Sequence, residues 1–235
     1  MGDTVFMQHE DGMPVGAEFR QAALDYRLLL DRGYPVNATL KLVGDRYRLD
    51  RTDRIVLFRG VLPSASSSAI ATKTAGSFPA GSALCVDGYN ILFTVINYRR
   101  GHPLFVGTDG LLRDAGGAHG RIERHEDLEE AAGLLADMLA ALAPSRVAVF
   151  LDAPVSGSGR HAAALRDALA AGGVTASVEL VPSSDPAVRD FEGGYAATAD
   201  SAVAIVSRSP VYDLARAILV NRYGASFFDL GDMFR

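Results

Sequence analysis

Tryptophan is absent from these 235 residues and cysteine occurs once. The lone Cys85 cannot close an internal disulfide. Inside the apolar stretch Ala83-Leu84-Cys85-Val86 it is expected to pack as a small hydrophobe. No apolar run approaches the ~18 residues of a membrane span. Residues 1–15 lack the basic start and apolar core of a signal peptide, and this acidic, Gly-containing segment reads as a frayed tail. The five histidines are scattered: His119 and His125 lack an i, i+4 relation and have no Cys cluster beside them, so a zinc site has no support. No G-x-S-x-G occurs, and a Ser-His-Asp triad has nothing to rest on. These absences point to the cytoplasm, with no membrane partner.

What is present is apolar content of 49%, which is globular rather than disordered. The length is ample for one good core, or for a full domain with a small companion. The net charge of −5 is uneven. Residues 16–62 hold nine Lys/Arg against six Asp/Glu, and residues 63–235 hold fourteen against nineteen. A mildly basic small region beside an acidic larger one permits nucleic-acid contact without requiring it; a solvated basic face accounts for the charge equally well.

Apolar residues at Phe19, Ala22, Ala23, Tyr26, Leu29 and Leu30 have helical spacing, closed by Gly33 and Pro35. Pro35 opens a second helix toward Gly44, and Asp50, a good N-cap, opens a third ending at Gly60. The expected organisation is a tail over 1–15, a helical module over 16–62 and a Ser/Ala/Thr/Gly-rich linker or loop over 63–81. An α/β domain follows over 82–235. In that domain strands are expected at Ala83–Asp87, Leu104–Gly107, Arg146–Leu151, Ala176–Val181, Tyr195–Ala199 and Ser226–Phe228. Helices fall between most of them, and residues 113–120 read as a Gly-rich loop. Alternation of this kind predicts a mostly parallel sheet with helices on both faces, a three-layer α/β/α arrangement.

Asp87, Asp152, Asp185 and Asp200 each fall at or just beyond the C-terminal end of an expected strand. In a parallel sheet those ends share one edge, where open α/β sheets place their chemistry. Singly, each Asp is as well explained as a turn-former or helix cap. Together they predict one self-repelling acidic cleft that a divalent cation would relieve. Oxygen-only ligands point to Mg²⁺ or Mn²⁺, which can orient a water against a phosphodiester. Asp87, Asp152 and Asp200 are the expected main ligands, with Asp185 in support, replaceable or joined by Asp190; Asp114 ranks lower. Asn90, about one helical turn from Asp87, is expected to orient, with an N-cap as its plain alternative. Ser201 and Thr198 could add hydroxyls. Arg160 and His161, in the turn after Asp152, stand near enough to contact phosphate. Arg99, Arg100, Arg121 and Arg124 could line an RNA path, and Tyr26, Tyr34 and Tyr47 could stack on bases, although solvated surface and core packing are their commoner fates.

Val86-Asp87-Gly88-Tyr89-Asn90 resembles the NYN branch of the PIN-like nuclease superfamily, in which such an element ends the first strand and begins the first helix. Ala197-Thr198-Ala199-Asp200-Ser201 resembles the later acidic element, and Phe150-Leu151-Asp152 the intermediate one. The likeness covers about residues 82–234 and implies a three-layer fold and metal-dependent RNA cleavage. Asp87, Asn90, Asp152 and Asp200 carry over by motif, and Asp185 or Asp190 by order alone. The whole chain resembles a prokaryotic family called domain of unknown function 434 with an attached PIN-like domain. That likeness rests on residues 26–35 and 42–47 and brings no activity with it.

The expectation is a Mg²⁺- or Mn²⁺-dependent endoribonuclease with RNA as partner; a homo-oligomer is allowed for. One alternative is a catalytically inactive RNA- or protein-binding module of the same fold. Another, weaker one is a dinucleotide-binding enzyme, since Gly157-Ser158-Gly159-Arg160-His161-Ala162 fits G-x-G-x-x-A with Glu179 about twenty residues on. Its first Gly comes too far after the strand, and Glu179 falls inside the next one.

Overall fold

The computed structural model describes residues 16–116, 122 and 124–235. Four helices come first: α1 (Ala17–Asp31), α2 (Val36–Arg46), α3 (Arg51–Gly60) and α4 (Ser64–Lys73). The first three are where hydrophobic spacing puts them. Phe19, Ala22, Ala23, Tyr26 and Leu30 form the buried stripe of α1, and Asp50 caps α3 by accepting from the Asp53 N–H at 2.8 Å.

The linker expected over 63–81 is a correction. It contains α4 and the short strand β1 (Thr74–Ala75), and Ile70 is fully buried. Its cap comes from far away in sequence: Asp31 accepts from the Ser64 amide and hydroxyl, both at 2.6 Å. At the other end Lys73 donates to the carbonyls of Ile205 and Ser207. A Ser- and Ala-rich stretch with little apolar patterning is held as a helix by a distant carboxylate at its first turn, with Lys73 tying its last turn to the rest of the fold.

The remaining elements are β2 (Ala83–Asp87), α5 (Gly88–Arg99), β3 (Leu104–Val106), β4 (Leu112–Asp114), α6 (His125–Leu142), β5 (Arg146–Asp152), α7 (Ser158–Ala171), β6 (Ala176–Val181), α8 (Asp185–Arg189), β7 (Gly194–Ala197), α9 (Ser201–Val206), β8 (Val211–Tyr212), α10 (Leu214–Tyr223), β9 (Phe228–Asp229) and a closing 3₁₀ turn, Leu230–Phe234. Six strands form one parallel sheet in the order β1-β8-β7-β2-β5-β6. Helices flank it, as the alternation predicts. From β2 the chain winds outward through β5 and β6, then crosses back to place β7 on the other side of β2. The winding therefore reverses at β2, where α/β sheets open a crevice.

Strands β4-β3-β9 form a second, small sheet that the sequence reading lacks. Part of the expected Gly-rich loop over 113–120 is thus strand, and residues 117–120 lie outside those described. Phe105 of β3 joins Leu230 and Met233 in one apolar cluster with Phe19, Tyr26, Val56 and Leu57, so the N-terminal helices share a core with the C-terminal turn. The larger cluster lies between β2, β5 and helices α5, α6, α7 and α10. Among the described residues, no single helix is long and apolar enough to cross a membrane.

Candidate functional site

β2 is buried from Leu84 onward, and the burial continues through Asp87, which is 5% exposed. The helix follows without a loop because Gly88 is its first residue. A Cβ there would stand 2.6 Å from Leu151 Cδ2, 2.9 Å from Val149 Cγ1 and 3.0 Å from the Phe150 carbonyl oxygen. Only glycine lets the first turn of α5 lie this close to β5. Asp87 occupies the N-cap position, yet its side chain does not cap. Its oxygens instead accept from the hydroxyls of Ser184 (3.2 Å) and Thr198 (3.1 Å).

Asp152, at the end of the neighbouring strand, accepts from the Ser184 amide at 2.7 Å and from its hydroxyl at 3.3 Å. One serine thus ties two carboxylates together. Asp185 opens α8, and Asp200 caps α9 by accepting from the amides of Ala202 and Val203. Both are exposed at the rim. Burial, followed by the charges of Asp152 and Asp185, pushes the Asp87 carboxyl up to about 7, against the lowering effect of the two hydroxyls. Asp185 is raised by partial burial and by the charges of Asp200 and Asp152. The four carboxylates therefore share one field. Among the described residues none of them has an ion pair with Lys, Arg or His.

That unrelieved repulsion fits a cation, and carboxylate oxygens fit a hard one. As placed, however, no three His, Cys, Asp or Glu side chains among the described residues are grouped to hold a metal ion. Mg²⁺ commonly uses one or two carboxylates and keeps several waters. The Asp87–Asp152 pair around Ser184 fits that sparser kind of binding; a full four-carboxylate cage does not fit.

Asn90 lies in the first turn of α5, so it is not the N-cap. Its Oδ1 accepts from the Ala199 amide at 2.9 Å, which fixes the β7–α9 loop that carries Asp200. Ser201, beside Asp200, accepts from Arg113 at 2.8 Å through its Oγ. Arg113 also makes two bonds to Asp109, at 2.7 and 2.6 Å, in a pair that is 4% and 0% exposed. Asp190 is drawn away by Arg189 and Arg208. Asp114 is buried and bound to Arg59. Arg99, Arg100 and Arg124 pair with Glu130, Asp127 and Glu126. Tyr26 is core, and Tyr47 donates to Asp25, which leaves Tyr34 as the exposed ring of the three. His119 and Arg121 lie outside the described residues. Arg160 is exposed, while His161 is 6% exposed and its Nδ1 is 2.9 Å from the Tyr89 hydroxyl. That hydroxyl is pushed up to about 12 by burial and by the charge of Asp152, so it keeps its proton. Glu179 sits within β6 opposite Phe150, as the weak dinucleotide reading could not accommodate.

Ser184 is the residue that sequence reasoning missed. The only signal for it was position, immediately before Asp185 at the same sheet edge.

The fold and this edge define an α/β protein with an acidic sheet edge at its topological switch. Residues 79–217, more than half of the chain, match the family described as Domain of unknown function (DUF5616), and the chain belongs to it. Residues 18–73 match Protein of unknown function (DUF434). The chain is also 26% identical over 185 residues to the uncharacterized protein MJ0935 of Methanocaldococcus jannaschii, covering 78% of this chain and 87% of that one. No solved structure matches it significantly.

Proposed function

We propose that the chain is a Mg²⁺- or Mn²⁺-dependent endoribonuclease of PIN-like type, acting through Asp87 and Asp152 with Asp185 and Asp200 at the rim. The observation that carries this reading is the buried, unpaired Asp87 carboxylate, held at about 7 among acidic neighbours. The likeness of residues 86–90 to the NYN element supports it. A bound cation would supply Lewis acidity toward a phosphate oxygen and a more acidic water. The residues' own part is to hold that charge. Ser184 spaces Asp87 from Asp152, Thr198 fixes the second oxygen of Asp87, and Asn90 holds the loop that presents Asp200.

The test is the melting temperature with and without Mn²⁺, followed by cleavage of single-stranded RNA. Metal at about 100 times its Kd adds ~2.7 kcal/mol, several degrees for a chain of this size. Wild type should show the shift, Asp87→Asn and Asp152→Asn should lose it, and Asp87→Asn should lose cleavage while remaining folded. Full cleavage by folded Asp87→Asn would sink the reading. A second reading, a catalytically inactive RNA- or protein-binding module of the same fold, is favoured by the lack of a three-ligand cluster among the described residues. RNA binding indifferent to chelator and to Asp87→Asn would establish it instead.

A further inference from the structure

The acidic sheet edge has a basic neighbour. A cavity of about 250 Å³ is lined by Ile122, Arg124, His125, Leu128, Arg160 and His161. That is below the roughly 300–1,000 Å³ of sites for drug-sized ligands, so it suits a small group. Among the described residues no carboxylate lines it. Arg124 and His125 occupy the N-cap and first position of α6, and Arg160 and His161 the third and fourth positions of α7. These helices have 18 and 14 residues, and neither has a side-chain hydrogen bond at its N-cap. The positive ends of two helices therefore meet at a cavity lined by two arginines and two histidines.

The side chains add a second, independent indication. His161 is nearly buried, its Nδ1 is taken by the Tyr89 hydroxyl, and its Nε2 has no hydrogen-bond partner among the described residues. Burial, then the charges of Arg160 and His125, hold its pKa below the usual imidazole value. Arg160 has no ion pair among the described residues. Arg124 and His125 contact Glu126 at 2.8 Å and Glu129 at 3.2 Å, but these pairs are more than half exposed and weak. Arg160 and the His161 Nε2 are thus the polar groups of the cavity with no partner of their own among the described residues.

We propose that this cavity is a phosphate-binding subsite that seats a phosphoryl group of the nucleic-acid strand beside the carboxylates. The choice of nucleic acid rests on the nuclease reading; the anion site itself does not. Tyr89 joins the two regions, since its hydroxyl bonds His161 and lies in the field of Asp152. A phosphate held by Arg160 and the two helix ends would place the adjoining strand toward Asp152 and Asp87. The division of labour is simple: the basic cavity takes one phosphate, and the acidic edge faces the next bond.

The experiment is calorimetric titration of the full chain with inorganic phosphate in a constant chloride background, repeated with Arg160→Ala and with Asp87→Asn. Saturable binding is expected in wild type, weakened about tenfold or more by loss of one charge-assisted contact in Arg160→Ala and kept in Asp87→Asn. Absence of saturable binding, or binding indifferent to Arg160→Ala, overturns the proposal. Oligonucleotides with a 5′-phosphate or a 5′-hydroxyl then identify the source. A preference for the 5′-phosphate that Arg160→Ala removes assigns a terminal monoester. Equal binding of both, weakened in Arg160→Ala, assigns an internal diester. Failure here with the Mn²⁺ shift and cleavage intact removes the subsite alone; phosphate binding without a Mn²⁺ shift removes the nuclease reading alone.

Discussion

Asp87 concentrates the chemistry of the molecule in one ionisation. Its carboxyl stands at about 7 in the folded chain against 3.8 for an ordinary aspartate. The folded chain thus keeps a proton that the unfolded chain releases between pH 4 and 7. Stability falls as pH rises through that window and levels off above it, at a cost on the order of 4 kcal/mol. In metal-free buffer Asp87→Asn is expected to melt several degrees above wild type at pH 8, with the gap closing toward pH 4. A gap of constant size across that range would show that the carboxyl ionises as an exposed one does. The Arg113–Asp109 pair is opposite in character, because each charge has its partner. Arg113→Ala would leave Asp109 buried and uncompensated, at a cost of about 3–5 kcal/mol in chemical denaturation, while joint replacement by Met and Leu should recover most of that loss.

At the scale of elements, the site depends on how closely α5 follows β2. Gly88→Ala would gain up to ~1 kcal/mol of helix propensity, yet it would force a methyl against Leu151, Val149 and the Phe150 carbonyl. Overpacking of this kind costs about 1–3 kcal/mol. The expected result is a lower melting temperature together with a weaker Mn²⁺ shift, because Asp87 moves with the helix. Asn90 serves the same edge from inside α5. Asn90→Ala frees the Ala199 amide, and its effect should fall on the loop bearing Asp200 more than on overall stability.

The whole molecule is more unified than its two family matches suggest. Residues 18–73 and 79–217 are matched separately, but β1 pairs with β8 in the main sheet, and the N-terminal helices share a core with Phe105, Leu230 and Met233. A single cooperative unfolding transition is expected for the full chain. Leu230→Ala, fully buried in that shared core, should cost about 2–5 kcal/mol and lower the one transition without splitting it. Two resolved transitions in calorimetry would show the helical module to be a separate unit.

The sequence by itself determined the elements whose cause is local. The stripe of α1, the Asp50 cap of α3, the buried strand ending at Asp87 and the alternation that makes a parallel sheet all follow from spacing and capping within a few residues. Since strand ends in such a sheet share an edge, the neighbourhood of Asp87, Asp152, Asp185 and Asp200 was legible as well. Only the tertiary structure decided what depends on distant partners. Asp31 caps α4 across 33 residues of chain; Ser184 joins two carboxylates from different strands; Arg113 bonds Ser201 from 88 residues away; and two helix ends meet around His161. Each is a hydrogen bond or a charge placed by the fold, and periodicity holds no information on which distant group will arrive to satisfy a buried polar atom.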